Sequence, residues 1–142
     1  MRVVLDTNVV VSGVLRPSSV PARVLSLIHE ARIRPVVDIR ILEEYRDVLA
    51  RPRLRVPAAI ATEWLQTFAE IAEHVTVTTE TAERFGHLAL ADPDDRLFME
   101  GAASAGAVAI ITGNTSHFPP AVLEPIRVLT PRQLLEEVSG PL

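Results

Sequence analysis

Apolar positions in this chain switch between two spacings. Short unbroken runs recur at Arg2-Val3-Val4-Leu5, Pro35-Val36-Val37-Asp38, Val108 to Thr112 and Ile126 to Leu129. Such runs, bounded by polar residues, predict strands buried on both faces. A fifth stretch, Val75-Thr76-Val77-Thr78-Thr79, alternates and predicts a short or edge strand. Between the runs the spacing becomes helical. Helices are predicted over Thr7 to Leu15, over Pro21 to about Ala31 with Val24, Leu25, Leu27 and Ile28 inward, and over Ile39 to Ala50 with Ile41, Leu42, Tyr45, Val48 and Leu49 inward. Another covers about Pro57 to His74, where Trp64 and Phe68 share an apolar face suited to core or helix packing. Thr81 to Leu90 reads as helical or irregular. A helix follows Asp92-Pro93-Asp94-Asp95 to about Gly106, a brief one lies near Ala121 to Leu123, and Thr130-Pro131 starts the last with a Thr cap and Pro at its first position.

Strand and helix thus alternate, which predicts an α/β fold with a parallel sheet and helices on both faces. Ligands in such folds sit at the C-terminal edge of the strands, where strand order reverses. Asp6 and Asn114 fall just past the ends of apolar strands, and Asp92 to Asp95 precedes a helix, so all are expected on that edge. Residues 1–142 suit one domain, without repeat, low-complexity tract or linker.

Composition narrows the chemistry. The chain has no cysteine, which excludes thiolate metal sites and thiol nucleophiles. No apolar run reaches membrane-spanning length, and the start lacks a signal-peptide pattern, so a soluble cytoplasmic protein is expected. The net charge is −4, and all fourteen basic residues are arginine. The missing lysine excludes a P-loop, and it argues against receiver domains and haloacid-dehalogenase-type phosphatases, which also place an Asp at a strand end.

Carboxylates gathered at one place repel one another, and a hard cation relieves them; oxygen donors select magnesium or manganese. Taken singly, Asp6 has a helix cap as its minor alternative, and Asp92 to Asp95 is as readily a solvated turn. On the helix from Ile39, Glu44 falls on the flank of the apolar face, whereas Glu43 falls nearly opposite, so Glu44 is the better inward ligand. Arg51 and Arg53 flank a helix breaker and are the arginines best placed for phosphates, with a solvated face as the alternative.

Together these residues carry a resemblance. Val4-Leu5-Asp6-Thr7-Asn8, Ile41-Leu42-Glu43-Glu44-Tyr45, Asp92-Pro93-Asp94-Asp95 with Phe98, Ile111-Thr112-Gly113-Asn114 with His117-Phe118-Pro119, and Thr130-Pro131 follow the order and spacing of the PIN-domain family. The chain is most similar to its VapC-like branch of toxin ribonucleases. The resemblance covers nearly the whole length. It implies a three-layer α/β/α sandwich around a mostly parallel sheet of four to five strands. It implies a metal-dependent endoribonuclease of a type II toxin–antitoxin pair, with an RNA substrate, an antitoxin partner and a homodimeric state. Its acidic quartet falls on Asp6, Glu44, Asp95 and the position of Asn114. Magnesium or manganese would be held by Asp6, Asp95 and Glu44, with Asp92 as a supplement. Asn8, Thr112 and His117 would orient ligands or substrate. Asn114 departs from the pattern, since many relatives have Asp there; a neutral amide oxygen favours one tightly held metal over two. A PIN-like binding module with weakened catalysis is the alternative, and a small-molecule phosphohydrolase a third class.

Overall fold

The computed structural model describes residues 1–90 and 92–139. Its centre is β1 (Arg2–Leu5), where Val3, Val4 and Leu5 are fully buried. A strand without a polar face must be covered on both sides, and this one is. The chain continues through α1 (Thr7–Leu15) and α2 (Val20–His29) to β2 (Arg34–Val37), then through α3 (Ile39–Leu49) and α4 (Ala58–Ile71) to β3 (Glu73–His74). It returns through α5 (Thr79–Phe85) and α6 (Arg96–Ala105) to β4 (Ala109–Ile111), and ends with α7 (Pro120–Leu123), β5 (Arg127–Leu129) and α8 (Pro131–Val138).

The sheet has five strands in the order β3-β2-β1-β4-β5, and every pairing is parallel. The chain therefore steps outward on one side of β1, then crosses β1 and steps outward on the other. With right-handed crossovers, that reversal puts α2 and α4 on one face and α6 on the opposite face. α6 packs on β1, β2 and β4, while α2 packs on α1 and α8. The result is an α/β/α sandwich with its crevice beyond the ends of β1 and β4, which run in register from Val3 beside Ala109 to Leu5 beside Ile111.

Several boundaries differ from the sequence reading, each for a local reason. The predicted strand over Val75 to Thr79 is displaced: the ladder forms at Glu73–His74, and only the Val75 N–H continues it, to the Val37 carbonyl at 2.9 Å. Thr78 is drawn away instead, because its hydroxyl caps α5 by accepting from the Thr81 N–H at 3.1 Å. α4 accordingly stops at Ile71 rather than His74, and Ala72 turns to extended geometry so that Glu73 can lie beside Val36 and pair with Arg2. Asp38 is not part of β2; its Oδ1 accepts from the Ile41 N–H at 2.9 Å and starts α3. Phe68 is fully buried, and Trp64 packs between it and His29.

One polar device ties the two helical layers to the sheet edge. Asp38 and Glu100 are both buried, and a single half-exposed guanidinium, Arg40, reaches Asp38 at 3.1 Å and Glu100 at 3.2 Å. It joins the start of α3 to the middle of α6. Removing it leaves two buried carboxylates without a counter-charge, which costs more than an exposed pair would. Arg40→Ala is expected to lower stability by on the order of 2 kcal/mol in urea denaturation, whereas truncating the exposed Arg46 should change it by less than about 0.5 kcal/mol.

Candidate active site

Asp6 is the first residue past β1. Its N–H extends the ladder by one bond, to the Ile111 carbonyl at 2.9 Å, and its own carbonyl accepts from Val9 at 3.0 Å to begin α1. The backbone is thus fixed on both sides, and the side chain is turned into the crevice. There the fully buried Thr112 hydroxyl donates to Asp6 Oδ2 at 2.7 Å and accepts from the Asn114 N–H at 2.9 Å. A single hydroxyl therefore spans the point where strand order reverses. Tyr45, also fully buried, donates its hydroxyl to the Leu5 carbonyl at 2.5 Å. That bond fastens α3 to the end of β1 and brings the neighbouring Glu44 to the crevice.

The crevice opens into a hollow of about 310 Å³. Asp6, Asn8, Glu44, Arg51, Arg53, Asp92, Asp94, Asp95, Asn114 and His117 all line it. Glu43 is exposed and lies outside. The structure thus brings every sequence-predicted site residue to this hollow except Thr112, which lies behind Asp6. Asp92 is exposed, and its Oδ1 accepts from the Asp94 N–H at 3.0 Å, so it also caps the turn Pro93–Asp95.

Charge is crowded here. Burial pushes the Asp6 carboxyl up, and the Thr112 hydroxyl and the amides of Thr7 and Asn8 pull it partly back. Asp95 is pushed up to about 6, first by burial and then by the charges of Asp6 and Asp92. Its Oδ2 is buried without a hydrogen bond, for His117 Nδ1 sits 3.3 Å away but out of line. Glu44 is raised by burial and by Asp94, against the pull of Arg51. An orphaned carboxylate oxygen among other oxygen donors fits a hard cation in charge and donor type. The donors are nevertheless spread around the walls: among the described residues no three acid or imidazole side chains are close enough to grip one ion. Closing on a metal would require these side chains to draw inward.

The role of Tyr45 was missing from the sequence reading, which saw only an apolar position. The signal was present, since a buried tyrosine hydroxyl needs a partner. Which partner it finds depends on the packing of α3 against β1.

Comparison with known proteins follows from this geometry. Residues 2–116 match a PIN-domain family model. The chain is 30% identical over 114 residues to MJ1680 of Methanocaldococcus jannaschii, a match covering 80% of this chain and 71% of that protein. Among solved structures it superposes on the VapBC2 complex of Rickettsia felis, solved on a DNA fragment from its promoter, with TM-score 0.65 at 14% identity, covering 92% of this chain and 98% of the other. It also superposes on FitAB bound to an IR36 DNA fragment, with TM-score 0.62 at 17% identity, covering 91% and 94%. At those identities the likeness is one of fold.

The crowding has a measurable sign. Asp95 has a native pKa of about 6, against roughly 3.9 when unfolded. Between these values the native state binds more protons than the unfolded one, so stability falls as pH rises through the window and stays lower above it. In EDTA, the melting temperature of the wild type should drop between about pH 4 and 6, by the equivalent of about 3 kcal/mol. Asp95→Asn should flatten that slope and melt higher than wild type at pH 7.

Proposed function

The chain belongs to the PIN-domain family, and from that premise we propose that it is a metal-dependent endoribonuclease, the toxin of a type II toxin–antitoxin pair. The observation that carries the reading is the buried Asp95 oxygen that accepts no hydrogen bond, on a hollow whose other acids are Asp6, Glu44, Asp92 and Asp94. Such an arrangement is unfavourable for an empty protein and favourable for one that holds a cation and a phosphate. Asp6, Asp95 and Glu44, with Asp92 in support, would hold magnesium or manganese, which when bound would supply a water of lowered pKa and offset charge on the phosphate.

The chain's own groups have separable roles in this reading. Thr112 holds the Asp6 carboxylate in one orientation. Glu44 or Asp6 would orient or deprotonate that water. Asn114 contributes a neutral oxygen, and Asn8 and His117 orient the substrate. The two superposed complexes, VapBC2 and FitAB, support a protein partner, here an antitoxin. Among the described residues no helix is long and apolar enough to cross a membrane. A homodimer in the cytoplasm completes the proposal.

A second reading, a PIN-like RNA- or protein-binding module with weakened catalysis, draws on Asn114 and on the spread of the acids around the hollow. Metal separates the two. On the enzyme reading, millimolar magnesium or manganese raises the melting temperature of the wild type, by several degrees at saturation. The purified protein then cleaves RNA, and Asp6→Asn lowers the rate at least 100-fold with an unchanged circular dichroism spectrum. Full activity in Asp6→Asn would sink the assignment, and no response to either metal would favour the binding module. Hydrolysis of nucleoside monophosphates in place of RNA would instead identify a small-molecule phosphohydrolase.

A further inference from the structure

Opposite charges share the hollow without meeting. Five carboxylates line it, as do the guanidinium-bearing Arg51 and Arg53, yet among the described residues neither arginine has an ion pair or a side-chain hydrogen bond. Arg2, Arg40 and Arg127 are ion-paired among the described residues, and what sets Arg51 and Arg53 apart from the other unpaired arginines is that they line a hollow with acids. Arg51 and Arg53 stand at either side of Pro52 on a single helical turn, closed by the Leu54 N–H to the Arg51 carbonyl at 3.0 Å. Arg55 ends that turn in the left-handed region at φ 55°, a conformation that a residue with a Cβ adopts at some cost. The turn places both side chains on the rim of the hollow.

We propose that Arg51 and Arg53 together grip the phosphate backbone of the nucleic-acid strand where it crosses the acidic hollow. This rests on the nuclease reading above and adds to it the residues that set the strand's position. Planar guanidiniums suit phosphate oxygens, which they bind two at a time. The acids, freed from the arginines, remain available to a cation. Apolar surface from Val11, Val48, Leu54 and Phe98 lies between the charged walls, where the face of a base can rest.

The test uses the full chain with a fluorescent single-stranded RNA oligonucleotide and magnesium, in steady-state cleavage and in fluorescence anisotropy. Arg51→Ala and Arg53→Ala should each raise KM roughly tenfold with kcat changed much less, and Arg51→Lys and Arg53→Lys should restore part of the loss. Each lost contact should flatten the log–log salt dependence of binding by about 0.7. Arg23→Ala, on the exposed side of α2, removes the same charge and should change none of these. If the wild type cleaves and the double variant R51A/R53A keeps both its kcat/KM and its salt slope, the grip is wrong and the nuclease reading stands. If the wild type binds the oligonucleotide through these arginines but cleaves nothing, the nuclease reading fails and the grip survives. If the wild type does neither, both fall. Equal losses in R51A, R53A and R23A would show a general charge effect and also overturn the grip.

Discussion

The hydrogen bond from Thr112 to Asp6 governs the architecture of the site. It joins the ends of two strands at the place where the order of the sheet reverses, which is the widest natural opening in such a fold. Because the Thr112 hydroxyl also accepts from Asn114, the loop after β4 and the carboxylate after β1 are set by one atom. Tyr45 repeats the arrangement on the other side, fastening α3 to the same strand end. The acids from α3 and from the start of α6 are thereby delivered to a crevice whose centre is already fixed.

What is delivered there is electrostatically unfavourable. Burial raises Asp6, Glu44 and Asp95, neighbouring carboxylates raise the last two further, and one buried Asp95 oxygen accepts no hydrogen bond. Two arginines line the same walls and do not quench the charge. Compare the Asp38–Arg40–Glu100 cluster, where buried carboxylates are neutralised at once by a guanidinium. The same sequence thus contains one acidic group that is satisfied internally and one that is left for something from outside. That contrast, more than the number of acids, distinguishes a structural ion cluster from a functional one.

The strand runs and helical stripes were legible in the sequence because they follow from burial, which period reveals directly. Glu44 could be chosen over Glu43 on the same ground, since a helix of known phase assigns each residue a side, and the structure leaves Glu43 exposed. The edge strand was misplaced because Val75 to Thr79 has strong β-propensity, yet Thr78 is of more use as a helix cap than as a rung. Asp38 was counted into a strand for a similar reason: its capping role depends on where α3 begins. Tyr45 and the separation of Arg51 and Arg53 from the acids were out of reach, because both depend on three-dimensional neighbours. The openness of the acid arrangement belongs with them, for sequence order places residues on an edge without fixing how far apart their side chains stand.

The bond between Asp6 and Thr112 joins residues 106 positions apart. This gives the site a timetable. A chain emerging from the ribosome exposes Asp6 first and Glu44 soon after, but neither acquires its setting until β4 has been made and has found β1. Closing a loop of that size is slow compared with forming any single helix, and it must wait for β4. Chains that stop before β4 therefore carry most of the site's acidic residues and none of the assembled crevice, and whatever chemistry the crevice performs begins only once β4 has joined β1.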